Sequence, residues 1–186
     1  MAEERADRRV RRTRQLLIEA LLGLIVERGY ESLTVQDVLD RADIGRSTFY
    51  AHFRDKDDLL QAAFDRGLGA LEGAGGPGAM SLAELSLALF RHTDEHRPLY
   101  RAMVGRPSGA MLTRAVNAML GAHVRPHLER LSGHLAVPAE VAAQYYVSAL
   151  LGLVTWWLDE GRPYSPDEMD AMFRRLVLPS LRGDQS

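Results

Sequence analysis

Residues 34–56 run TVQDVLDRADIGRSTFYAHFRDK. The Thr34 hydroxyl can cap a helix, and Asp37, three residues on, is its possible capping-box partner. That helix ends near Ala42, and Asp43, Ile44 and Gly45 form a tight turn. A second short helix runs from Arg46 to about Phe53, and Asp55 can cap the next one. Two short helices joined by a tight turn containing glycine have the layout of a helix-turn-helix. Val35, Val38, Leu39, Ala42, Ile44 and Phe49 are the apolar positions that pack the pair. Arg46, Ser47, Thr48, Tyr50 and His52 are left on the outer side of the second helix, and Phe53 is expected to be a core aromatic. These outward types suit DNA: arginine forks onto guanine or a phosphate, and hydroxyl, phenol and imidazole groups bind phosphate oxygens. Lys56 opens a fourth helix, where its charge and the free backbone N–H groups face an anion.

The flanking chain reads as helix in both directions. Before the motif, Leu17, Leu21, Leu24 and Ile25 make one apolar face of a helix from about Arg9 to Arg28, stopped at Gly29. After it, Leu59, Leu60, Ala63, Phe64, Leu68 and Leu71 are the apolar positions of helix four. Six glycines and Pro77 between residues 67 and 78 then make a flexible joint. Beyond it, Ser81 and Glu84 box a fifth helix to about His96, and Pro98 suits the first turn of a sixth ending near Gly105. A seventh spans roughly Pro107 to Leu131, bent around Pro126, and an eighth runs from Pro138 to the Gly161 stop. Ser165, Pro166 and Glu168 start a ninth that reaches about Arg182. The expected fold is all-α, with nine helices. A three-helix DNA-binding domain is expected at 1–55 (arm 1–12), and a regulatory and dimerisation domain at 56–186.

Composition narrows the function. The 186 residues are 46% hydrophobic, enough for a sizeable core. Acids outnumber bases 25 to 23, so bulk positive charge cannot be what binds a polyanion. Residues 1–66 carry 12 bases and 13 acids, so even that half is balanced. The absence of cysteine excludes disulfide scaffolds, cysteine-ligated zinc, iron–sulfur sites and thiol nucleophiles. Six arginines and one aspartate between Arg5 and Arg14 precede an apolar stretch, Leu16 to Val26, that Glu19 interrupts and no small-residue cleavage site follows. A soluble, cytoplasmic start is expected. The uncharged run Val141 to Leu158 reaches membrane-helix length, but Gln144, Ser148 and Thr155 dilute it. A helix apolar all round must be buried all round, and a second copy of the chain can cover the face its own protomer leaves open.

From about Thr13 to Phe64 the chain resembles the DNA-binding domain of TetR-family transcriptional regulators. The matching residues are Thr34, Val35, Ala42, Ile44, Thr48, Phe49, Tyr50, Phe53, Lys56 and Leu59. It departs at Asp43, where many members have the turn glycine, at Ser47, which replaces a common glycine, and at Gly45, where many have serine. The resemblance implies that Thr34, Thr48, Tyr50, His52 and Lys56 hold phosphates while Gln36 and Arg46 read bases, with Tyr50 able to do either and Ser47 beside them. The arm Arg5 to Arg14 then lies along the backbone or in the minor groove, or is a loose tail.

Leu150 to Glu168, with Trp156, Trp157, Gly161 and the Ser165-Pro166 restart, resembles one C-terminal subgroup of the family. The resemblance implies a homodimer through the last two helices. In it Ala142, Ala149 and Gly152 permit close approach, and Tyr145, Trp156 and Trp157 anchor the contact. It also implies a small-molecule effector between the middle helices that favours the state unable to bind DNA. Phe90, Tyr100, Met103, Met111, Met119 and Trp156 are candidates to line its pocket, or are ordinary core. The expected function is a ligand-responsive repressor on a near-palindromic operator, with no enzymatic activity, cofactor or metal. The competing readings are a helical interaction module and a small all-α metal-dependent enzyme. The enzyme would use the i,i+4 pairs His92/His96 and His123/His127, but it leaves Thr34–Lys56 unexplained.

Overall fold

The computed structural model describes residues 2–72, 80–103, 106–161 and 163–181, with side chains from Asp7 onward apart from 68 and 70–72. Most of the glycine-rich joint (Gly73, Gly75, Gly76, Pro77, Gly78), the Leu68 and Leu71 side chains, Gly105 and Arg182 lie outside the described residues. Among the described residues there are nine α-helices and no β-strand. They are α1 (Ala2–Arg28), α2 (Val35–Ala42), α3 (Arg46–Tyr50), α4 (Lys56–Glu72), α5 (Leu82–Glu95), α6 (Arg97–Met103), α7 (Pro107–Arg130), α8 (Ala139–Asp159) and α9 (Pro166–Leu181).

Two boundaries differ from the sequence expectation. Helix α1 begins at Ala2 instead of near Arg9. The segment AEERADRR is made of strong helix formers with its acids toward the N-terminus, so the basic arm continues the helix. Helix α3 stops at Tyr50 instead of Phe53. The N–H groups of His52 and Phe53 both turn to the Phe49 carbonyl, and the chain bends toward the Asp55 cap of α4.

The chain divides into two compact units, Met1–Gly67 with Ala102–Leu112, and Leu68–Arg101 with Thr113–Ser186. The first boundary therefore falls at Gly67, beyond the expected residue 55. Leu59, Leu60, Ala63 and Phe64 of α4 are buried and complete the core begun by Leu17, Leu21, Leu24, Ile25, Leu39 and Phe49. Gly29 ends α1 with φ +76°, a conformation open to glycine at little cost. The first turn of α7 joins this unit, its Ser108 N–H donating to Glu31 Oε1 at 3.1 Å. Burial pushes the Glu31 carboxyl up, but the bonds from Ser108 and the nearby Arg106 outweigh it and leave the group below its usual range.

The second unit is built on α5 running along α9, with α8 packed against both. Phe90, Trp157, Phe173 and Tyr146 form its aromatic centre, with edge-on ring contacts between 5.0 and 6.5 Å. One buried polar cluster crosses it: Ser86 Oγ donates to Asp170 Oδ1 at 2.5 Å, and Arg174 Nη2 reaches Asp170 Oδ2 at 2.9 Å. The three expected helix starts at Thr34, Ser81 and Ser165 all carry their capping boxes.

Candidate nucleic-acid interface

The geometry of the helix-turn-helix is set by local polar bonds. The Asp37 N–H donates to Thr34 Oγ1 at 3.2 Å, and the Thr34 N–H donates back to Asp37 Oδ2 at 2.8 Å. These Thr34 bonds, with Arg28 close by, hold the Asp37 carboxyl below the usual range. Asp43 adopts the left-handed conformation (φ 53°, ψ 48°), and its N–H bonds to the Leu39 carbonyl. The chain then reverses into α3, whose Phe49 is fully buried with its ring edge-on to Tyr50 at 5.3 Å.

Burying Phe49 turns Arg46, Ser47, Thr48 and Tyr50 to solvent. Tyr50 is 54% exposed, a large aromatic that its own unit leaves uncovered. Gln36 stands beside Arg46 on this face, because Arg46 Nη2 donates to Gln36 Oε1 at 2.9 Å. The two side chains expected to read bases therefore touch. Thr34 is exposed, its hydroxyl engaged in the α2 cap. His52 is half-buried at the end of α3, and its carbonyl accepts from Arg14 Nη1 at 3.3 Å. Phe53 is buried as expected, with the Arg14 guanidinium 4.4 Å over its ring.

Lys56 has a more structural setting than its sequence position suggests. Its ammonium donates to the carbonyls of Tyr30 (3.0 Å) and Leu33 (2.7 Å) and sits 4.1 Å over the Tyr30 ring. The Tyr30 hydroxyl donates to Asp57, and burial together with that carboxylate raises the phenol well above its ordinary range. Lys56 thus ties α4 to the α1–α2 turn, with one ammonium N–H still available to a phosphate. Of the basic arm, Arg8, Arg9, Arg11 and Arg12 are exposed along α1, and the Arg5 side chain lies outside the described residues.

Sequence reasoning missed Asp40. Gln36 Nε2 donates to Asp40 Oδ1 at 2.7 Å, an i,i+4 amide–carboxylate pair whose spacing was available as a signal. It also missed the bidentate Arg41–Glu27 pair (2.6 and 3.0 Å), which bolts α2 to α1.

The expected pocket residues have different settings. Phe90 and Met119 are buried in packing, Tyr100 is buried beside the half-buried His92, and Trp156 is 42% exposed and stacked on Tyr164. Met103 and Met111 belong to the first unit. A cleft of about 390 Å³ does open between α7 and α8, lined by Asn117, Gly121, Arg125, Glu140, Ala143 and Gln144, and it includes none of the six.

The expected dimer residues separate by helix phase. Ala142 and Trp157 face the unit's own core. Tyr145, Gly152 and Trp156 lie on the outer stripe of α8 with Val141, and Ala149 is half-buried at its edge. Leu176 of α9 is 65% exposed. Among the described residues only α8 is long and apolar enough to cross a membrane, and its inner face is packed in the protein. In the histidine pairs, His96, His123 and His127 each place Nδ1 against the carbonyl four residues back. Among the described residues no group of three or more His, Asp or Glu side chains is placed to hold a metal ion.

Comparison with known proteins adds an independent line. Residues 17–63 match the family described as bacterial regulatory proteins, tetR family. Residues 81–178 match a family described as transcriptional regulator C-terminal region. The uncharacterized HTH-type regulator YxbF of Bacillus subtilis is 31% identical over 94% of this chain, and the match covers 47% of YxbF. The chain thus spans about half the length of that relative. The HTH-type regulator Rv1556 of Mycobacterium tuberculosis is 26% identical over 89% of this chain and 86% of its own. A TetR regulator from Streptococcus agalactiae shares the fold, with a TM-score of 0.74 at 21% identity over 97% of this chain and 99% of its own. NalD of Pseudomonas aeruginosa, a secondary repressor of the MexAB-OprM multidrug efflux pump, gives 0.71 at 19% identity over 95% and 99%.

Proposed function

The chain belongs to the TetR family of bacterial transcriptional regulators, and on that premise we propose that it is a cytoplasmic, homodimeric, ligand-responsive repressor that binds a near-palindromic DNA operator. It is a regulator and not an enzyme. One observation carries the DNA-binding reading: a capped helix-turn-helix buries Phe49 and leaves Gln36, Arg46, Ser47, Thr48 and Tyr50 together on one outward face. Arg46 and Gln36 read base edges in the major groove. Ser47, Thr48, Tyr50 and His52 hold phosphates, with Thr34 and Lys56 adding contacts beside their structural bonds. The exposed arginines of α1 add attraction to the backbone.

The exposed Val141, Tyr145 and Trp156 on one face of α8, with exposed Leu176 on α9, support a second copy as the cover for these helices, since exposed large apolar groups mark an interface. A dimer sets two recognition helices about one helical turn of DNA apart, which is why the operator is near-palindromic. An effector acts by favouring the state whose helix spacing does not fit.

Selection of random duplex DNA by the full chain, followed by a gel shift on the enriched sequence, tests the proposal. A palindrome bound in a salt-sensitive manner supports it. Tyr50→Ala is expected to weaken that complex with the fold intact, and unchanged affinity would remove Tyr50 from the interface. Gly152→Glu is expected to sediment as a monomer, and a persisting dimer would move the interface elsewhere.

A further inference from the structure

On the outward face of the helix-turn-helix, three exposed side chains form a chain of hydrogen bonds. Asp40 Oδ1 accepts from Gln36 Nε2 at 2.7 Å, and Gln36 Oε1 accepts from Arg46 Nη2 at 2.9 Å. Gln36 and Asp40 are one turn apart on α2, and Arg46 is the first residue of α3, so the chain spans both helices of the motif. We propose that Asp40 is a positioning residue for base recognition: it fixes the Gln36 amide, which holds the Arg46 guanidinium so that the set reads one guanine in each half-site. This rests on the DNA-binding reading above.

The donors and acceptors of the three side chains fix the order of the chain. A primary amide has an acceptor end and a donor end of nearly the same shape, and rotation by half a turn exchanges them. A guanidinium has only donors, so it pairs with the amide oxygen and repels the amide NH₂. A carboxylate has only acceptors, so it selects the NH₂ end. Asp40 and Arg46 therefore select the same orientation of the Gln36 amide, and Asp40 anchors its NH₂ end. With the NH₂ held at Asp40, the oxygen must meet the guanidinium.

What remains free fits guanine. Arg46 uses one of its five N–H donors on Gln36 and keeps four, enough to fork onto guanine O6 and N7 in the major groove. Gln36 keeps one N–H and one oxygen lone pair for the neighbouring base. The Asp40 charge offsets that of Arg46, so the trio adds little sequence-independent attraction to phosphates. Its contribution is to base preference.

The test is selection of random duplex DNA by the full chain and by Arg46→Ala, Asp40→Ala, Asp40→Asn and the Asp40→Ala/Arg46→Ala double variant, reading base preference at each position. The wild type is expected to enrich one guanine at the same place in both half-sites, and Arg46→Ala to erase that preference. Asp40→Ala is expected to reduce it about tenfold, within the range a bidentate arginine–guanine pair supplies. Asp40→Asn keeps an acceptor oxygen for the Gln36 NH₂ and is expected to hold most of the preference. The double variant is expected to match Arg46→Ala at that position. Thermal unfolding reports whether each variant keeps the fold, and Asp40 is exposed, so no change is expected. A folded Asp40→Ala protein with the full guanine preference overturns the relay, as does a uniform loss of affinity with the preference kept, or equal losses in Asp40→Ala and Asp40→Asn. A wild type that enriches no duplex overturns the DNA-binding reading itself, and the relay with it.

Discussion

Both units have an apolar core, but what fixes their working geometry differs. In Met1–Gly67 with Ala102–Leu112, polar contacts set the motif: the Thr34–Asp37 box, the left-handed Asp43 and the Lys56 ammonium on two carbonyls. In Leu68–Arg101 with Thr113–Ser186, layered aromatic contacts such as Phe90 with Phe173 and Tyr146 with Phe173 join the helices. Their open surfaces differ in the same sense. The first exposes polar side chains around Tyr50, whereas the second exposes Tyr145, Trp156 and Leu176. Local polar geometry suits a face that must meet a fixed external shape, and apolar layering suits helices that meet others like themselves.

The sharpest way to break this contrast is to remove an aromatic from the second unit. Phe173 is fully buried, 5.0 Å from the Tyr146 ring and 6.5 Å from Phe90. Phe173→Ala is expected to cost about 3–5 kcal/mol through lost transfer energy and the cavity left behind. Both tryptophans lie in this unit, so urea unfolding followed by their fluorescence reports on it directly. A loss under about 1 kcal/mol would mean that the centre closes over the cavity and is not a jigsaw.

In the first unit the matching test is polar. Lys56→Met keeps the aliphatic stem but strips the charge-assisted bonds to the Tyr30 and Leu33 carbonyls. The expected cost is about 1.5–3 kcal/mol, the range for hydrogen bonds to a charged group. Helical circular dichroism in urea checks it. A neutral result would show that the ammonium is better placed for phosphate than for the fold. One step smaller, Thr34→Ala removes the acceptor for the Asp37 N–H and is expected to cost about 1 kcal/mol in the same assay.

Both units hold lowered carboxylates, and His92 gives the second unit an additional, earlier acid window. Burial first, then the neighbouring His96, lowers the His92 pKa to about 4. The unfolded chain takes up that proton near the ordinary value of about 6.5, and the folded chain only near 4. The stability tied to a neutral His92 is therefore complete above about 6.5 and declines as pH falls toward 4. Asp37 and Asp58 of the first unit, with lowered values, hold their contribution above the ordinary carboxylate range and lose it only below that. His92→Gln is expected to flatten the decline between pH 6.5 and 4, seen as a urea midpoint that moves less with pH. The half-exposed ring limits this to somewhat under about 1 kcal/mol. An unchanged slope would move the acid sensitivity to other groups.

The same contrast explains how much was legible in the sequence. Helix starts at Thr34, Ser81 and Ser165 were readable because a cap and its partner are three residues apart. The outward set on α3 was readable because burying Phe49 fixes the phase of a five-residue helix. The inner and outer faces of α8 were legible but not read. Gln144, Ser148 and Thr155 recur at i, i+4 and i+11 and mark the exposed face, yet the long uncharged run masked that weak stripe, so Trp157 and Ala142, which point inward, were grouped with Trp156 and Gly152. The dual engagement of Lys56 was hidden because its partners, backbone carbonyls 23 and 26 residues earlier, carry no side-chain signature.

The smallest effect concerns the turn at the centre of the motif. Asp43 closes α2 in the left-handed region (φ 53°), and its charge sits where the helix dipole is already negative. Replacing the carboxylate by an amide would keep the side-chain geometry that tolerates this conformation and remove the charge. Asp43→Asn is thus expected to stabilise the first unit by about 0.5 kcal/mol, read as a small rise in the urea midpoint by circular dichroism. Asp43→Gly removes the steric cost as well but frees the unfolded chain, so its gain should be no larger. A loss in both variants would mean that the carboxylate itself holds the turn, and local backbone preference would then no longer be the reason this unit is written so plainly in its sequence.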